Sequence, residues 1–145
     1  MDDLTCEIVI DAQPETVFPF LTDPAKHGEW LGSVVDLDAR PGGAYRVLVG
    51  DNHEAAGEFV EVVANERVVF TFGWDLPDHP IPAGSTTITI TLIPDGEKTR
   101  VQLVHSGLPA DAITDHRGGW DHFLGRLAIV ATGGDPGPHQ VPATD

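Results

Sequence analysis

The sequence predicts an α+β domain in which a curved antiparallel sheet of six to seven strands wraps around one long C-terminal helix, with two short helices after the first strand. Three observations carry this. Ile113, Trp120, Phe123, Leu124, Leu127, Ala128 and Ala131 recur at the three-and-four spacing of a single helical face, within a helix expected from Asp111 to Thr132. Between Ala44 and His105, apolar and polar residues alternate in short runs separated by turn residues. The helix face must be covered, and those strands are the material available to cover it.

The elements follow in order. Thr5 to Asp11 alternates Cys6, Ile8 and Ile10 against Thr5, Glu7 and Val9, which suits a strand with one buried face. Pro14 fits the first position of a helix running through Val17 towards Leu21, where Pro19 removes the bond back to Glu15 and must kink or loosen it. Asp23 caps the next short helix, Pro24 occupies its first turn and Gly32 is its expected stop.

Strands then take over. Val35 and Leu37 form a short one, Pro41, Gly42 and Gly43 turn the chain, and Ala44 to Val49 returns. After a turn at Gly50 to His53, Glu54 to Val63 and Arg67 to Trp74 pair across Ala64, Asn65 and Glu66. Val68, Phe70, Phe72 and Trp74 share one face as a broad apolar wall. Asp75 to Gly84 holds three prolines and is a stiff loop. Thr86 to Ile93 and Thr99 to His105 form a hairpin about Asp95 and Gly96, and parity with Val101 and Leu103 turns His105 inward. Gly133 is the expected left-handed stop of the long helix, which makes residues 1–132 one domain and 133–145 a disordered tail.

At 145 residues the chain is long enough for one sizeable core, burying roughly 70% of its unfolded surface. Its apolar runs are short and Met1, Asp2 and Asp3 lack the features of a signal peptide, so a soluble cytoplasmic protein is expected. Cys6 is the single cysteine, a small core residue, which excludes an internal disulfide. Twenty-three acidic side chains against 8 basic ones give a formal charge of −15, scattered along the chain. Such a surface repels phosphate backbones and anionic headgroups, so neither nucleic acid nor membrane insertion is expected.

Six phrases, in order, span nearly the whole chain: VFPFLTDPAKHGEWLG from Val17, ARPGGAYRV from Ala39, GEFVEV from Gly57, RVVFTFGW from Arg67, TRVQLVHSGLP from Thr99 and HRGGWDHFLGRL from His116. With this order of elements they resemble the START/polyketide-cyclase (SRPBCC) superfamily, and within it the family related to the activator of the heat-shock protein 90 ATPase. The resemblance implies a helix-grip fold with an apolar cavity between sheet and helix. It implies uses that include binding hydrophobic small molecules, cyclase or aromatase chemistry and co-chaperone activity, without transferring any one reaction. Pro19 departs from the pattern. The chain shows no separate N-terminal domain like that of the eukaryotic co-chaperone, so chaperone activation is not expected.

The expected ligand-binding residues are Trp30, Tyr45, Phe70, Phe72, Trp74, Ile88, Ile90, Leu103, His105, Trp120, Phe123 and Leu124. Trp74 and Trp120 line the cavity, or in the plainer reading Trp120 is core, and Trp30 sits on a lid over its mouth. Gly118 and Gly119 beside Trp120 imply a bend or a close backbone approach. His105 is the catalytic candidate, a neutral imidazole in an apolar setting, with Tyr45, Arg46, Glu58, Glu61 or His116 as partner. The plainer reading is a buried histidine bonded to a carbonyl. No metal site is expected, because His53, His79 and His139 fall in loops or tail and His116 and His122 on different helix faces. No cofactor motif is present either.

The function expected first is binding of a lipid-like or polycyclic, polyketide-like molecule. The alternatives are a cyclase, aromatase or dehydratase using His105 as acid or base, and a protein-interaction or co-chaperone-like module, with a homodimer among the partners.

Overall fold

The computed structural model describes residues 3–31, 35–49, 53–75 and 81–134. The expected stop at Gly32, the turn at 50–52, half of the proline-rich loop and the tail beyond 134 lie outside them. Strand β1 spans Leu4–Ile10 and buries Leu4, Cys6 and Ile10 on its inner face. Pro19 does break the first helix: α1 (Pro14–Val17) ends at Phe18 and α2 (Pro19–Thr22) starts anew, so three short helices stand where two were expected. The third, α3 (Pro24–Gly28), is capped by the Asp23 carboxylate, which accepts from the Ala25 and Lys26 N–H groups.

The sheet is completed by β2 (Val35–Leu37), β3 (Ala44–Val49), β4 (His53–Val63), β5 (Arg67–Phe72), β6 (Thr86–Asp95) and β7 (Lys98–Ser106). His53, expected in a loop, opens β4. All seven strands form one antiparallel sheet in the order β1-β7-β6-β5-β4-β3-β2, curved and unclosed. A bulge in β4 between Phe59 and Glu61 leaves Val60 as the extra residue, exposed, and reverses the strand's parity.

A short 3-10 turn (Ala110–Ala112) leads into α4 (Ile113–Ala131), whose buried face carries Trp120, Phe123, Leu124, Leu127, Val130 and Ala131. Against it stand the inward residues of the sheet, among them Val68, Phe70 and Phe72 from β5, Ile88 and Ile90 from β6, and Val101, Leu103 and His105 from β7. The geometry is that of a helix-grip fold. Gly133 at φ 88° ends α4 in the left-handed region. A Cβ on Gly118 or Gly119 would meet nothing within 4 Å, so close approach does not explain that pair. No helix among the described residues is long and apolar enough to cross a membrane.

Candidate ligand site between sheet and helix

The expected lining residues form a continuous aromatic chain through the interior. Tyr45 stacks on Phe70 with centroids 4.1 Å apart, and Phe72 meets Tyr45, Trp74, His105 and Trp120. Ile88, Ile90, Leu103, Phe123 and Leu124 are buried in the same core cluster. Trp30 corrects the expectation of a lid. It is completely enclosed, and its indole N–H donates to the Phe20 carbonyl at 2.8 Å.

Two buried histidines organise the polar groups within this apolar interior. His105 is turned inward by the alternation of β7, and Thr86 by that of β6. The Trp120 indole N–H donates to His105 Nδ1 at 3.1 Å, which fixes Nδ1 as the acceptor and places the ring proton on Nε2. That Nε2–H donates to Thr86 Oγ1 at 2.7 Å, and the Thr86 hydroxyl donates to the Phe72 carbonyl at 2.6 Å. Burial, with the neighbouring His116, lowers the His105 pKa to about 3. His105 is therefore a neutral ring with both nitrogens occupied by the protein. It offers a substrate neither lone pair nor proton in this arrangement.

His27 carries the opposite tautomer. Its Nδ1–H donates to the Phe20 carbonyl at 2.9 Å, so Nε2 accepts from the Tyr45 hydroxyl, also at 2.9 Å. Burial lowers the His27 pKa to about 4 and pushes the Tyr45 phenol well above its ordinary range. Tyr45 is thus tied to His27 rather than to His105. The other expected partners lie outside the interior. Arg46 is exposed and pairs with Glu54 and Asp75, Glu58 is exposed, and Glu61 pairs with Arg67 at 2.6 Å.

His116 does reach His105, with ring centroids 5.5 Å apart at 83°. Its Nδ1–H donates to the Ala112 carbonyl one turn back at 3.0 Å, which leaves the Nε2 lone pair facing outward from that bond, buried and without a hydrogen-bond partner. Half-buried Trp74 stands 6.3 Å from the same ring. Regular pairing of β5 ends at Phe72, earlier than expected, and Trp74 is held by an isolated bridge: its N–H donates to the Ile81 carbonyl at 2.8 Å. Gly73 makes this possible, since a Cβ there would lie 1.7 Å from the Pro82 carbonyl oxygen.

Two buried polar residues are not singled out by sequence reasoning: His27, and Arg126, which donates to the carbonyls of Trp30 and Glu29. Among the described residues, no group of three His, Cys, Asp or Glu side chains is arranged to hold a metal ion.

Comparison with known proteins agrees with this architecture. A solution structure of an AHSA1-like protein from Rhizobium etli is 41% identical, with a TM-score of 0.74, covering 94% of this chain and 86% of that one. DynU16, a protein of the dynemicin biosynthetic locus, is 23% identical with a TM-score of 0.81, covering 96% of this chain and 51% of its own. The Aha1 dimer from Colwellia psychrerythraea is 20% identical with a TM-score of 0.78, covering 92% of this chain and 98% of its own. These last two show the fold alone. A curated relative from Schizosaccharomyces pombe is 26% identical over 107 residues, and the chain spans only 30% of its length. The sequence profile of one family, described as Activator of Hsp90 ATPase homolog 1-like protein, matches residues 11–132, and the chain belongs to that family.

Proposed function

We propose that this protein binds a hydrophobic small molecule, lipid-like or polycyclic, between the sheet and α4. The observation that carries the reading is the buried, unpartnered Nε2 of His116 beside half-buried Trp74 at one end of an aromatic interior. A buried acceptor left unpaired costs about 1–3 kcal/mol, a deficit that a bound molecule can remove. Tyr45, Phe70, Phe72, Ile88, Ile90, Leu103, Trp120, Phe123 and Leu124 supply the apolar surface of this proposed site. Trp74 and His116 stand at its entrance, and His105 holds Trp120 in place. Entry requires the rings to part. Gly118 and Gly119 support this, because two glycines weaken the helix by about 1 kcal/mol each just after His116. The lone buried thiol of Cys6 accords with a cytoplasmic setting.

Titration with acyl chains and fused-ring aromatics, followed by tryptophan fluorescence, tests the reading. A saturable change at micromolar ligand, lost in Trp74→Phe, is the expected result. No response to any probe from a chain whose circular dichroism shows it folded refutes it. A homodimer is a second element of the proposal, prompted by the Colwellia psychrerythraea dimer. Light scattering that returns a monomer at high concentration removes it.

A further inference from the structure

We propose that the polar group recognised at this site is a neutral hydrogen-bond donor on a flat ring, a phenolic or enolic hydroxyl, taken by His116 Nε2. The inference rests on the small-molecule reading above and goes further by naming the chemistry of the ligand. Three donors close to His116 are already committed. The Trp120 indole N–H goes to His105 Nδ1, the His105 Nε2–H to Thr86 Oγ1, and the Thr86 hydroxyl to the Phe72 carbonyl. The bond from His116 Nδ1 to Ala112 fixes the tautomer, so the orphan atom is an acceptor and only a donor can satisfy it.

The surroundings select the rest of the molecule. The rings of His105 and Trp74 flank His116 at 5.5 and 6.3 Å, inclined to it by 83° and 47°, and such ring faces and edges favour an aromatic occupant. A carboxylate brings only lone pairs to a lone pair, and a chain with net charge −15 repels it further. An ammonium group is a donor, but an interior of apolar rings penalises its charge. A neutral donor is left, and a phenolic or enolic hydroxyl supplies one directly on a flat ring.

The test uses naphthol, methoxynaphthalene and naphthoate at about pH 7.5, where naphthol keeps its proton. Binding is read by tryptophan fluorescence and by nitrogen NMR of the His116 ring. The expected result is that naphthol binds about tenfold or more tighter than methoxynaphthalene, with naphthoate weakest. Naphthol alone moves the His116 Nε2 resonance, and His116→Phe binds naphthol and methoxynaphthalene alike. Equal binding of these two by the native chain overturns the inference and leaves the small-molecule reading standing. Binding of none of the three, by a folded chain that also ignores acyl chains, overturns both. If His116→Phe does not fold, the native chain's nitrogen resonance decides: no movement with bound naphthol overturns the proposal.

Discussion

Acidification from about pH 7.5 to about pH 5.0 is expected to destabilise the fold by about 4 kcal/mol through His27 and His105. Both rings are held neutral in the folded chain, with pKa values lowered from 6.5 to about 4 and about 3. The unfolded chain takes up these two protons near pH 6.5 and the folded chain refuses them until far lower. Stability is therefore complete above that value and falls with pH down to the folded pKa, where the loss levels off. At pH 5.0 the unfolded imidazole lies about 1.5 units below its pKa, worth about 2 kcal/mol for each ring. Relief of carboxylate repulsion, in a chain of net charge −15, acts in the opposite direction and is shared by every variant. The assay is urea unfolding at the two pH values for the native chain, His27→Gln and His105→Gln. Each substitution removes one titrating ring, so the pH-dependent loss is expected to shrink by about 2 kcal/mol whatever the variant's own stability. Variants that keep the full native pH dependence would refute the assignment of both rings as buried and neutral.

Thr86→Val keeps the shape of the side chain but strands the His105 Nε2–H and the Phe72 carbonyl, and is expected to cost about 1–3 kcal/mol in urea unfolding. Gly118→Ala fills open space on an exposed helical position and is expected to stabilise by about 0.5–1 kcal/mol, read as a higher melting temperature. Gly73→Ala drives a methyl group into the Pro82 carbonyl, so Trp74 is expected to shift, with a changed emission maximum and a loss of more than about 1 kcal/mol. Asp23→Ala removes the two cap bonds of α3 and is expected to cost about 1 kcal/mol by thermal unfolding.

Much of the fold could be read from the chain because it depends on period and punctuation. The inward alternation of β5, β6 and β7, the hairpin at Gly96, the break at Pro19 and the cap at Asp23 are local consequences of side-chain geometry. Parity alone turns His105 inward, where it is buried. Parity assigns no single inward face to β4, where the bulge at Val60 shifts every later residue to the other face. Local reasoning failed for Trp30, which follows a short helix that says nothing about which neighbour will cover it.

Which residues are apolar, and in which period, is written along the chain, and from that it follows that a sheet must close on the Ile113–Ala131 helix. What the polar atoms inside do depends on how the elements meet. His105, His27 and His116 look alike in sequence, yet the first is bonded at both nitrogens, the second is bonded at both with the opposite tautomer, and the third keeps a lone pair free. The difference comes from Trp120, Thr86, Tyr45 and the Phe20 carbonyl, partners brought from elsewhere in the chain to within hydrogen-bond distance. Burial is set by period along the chain, whereas satisfaction of a buried polar atom depends on angles and distances between elements that meet only when the chain is folded.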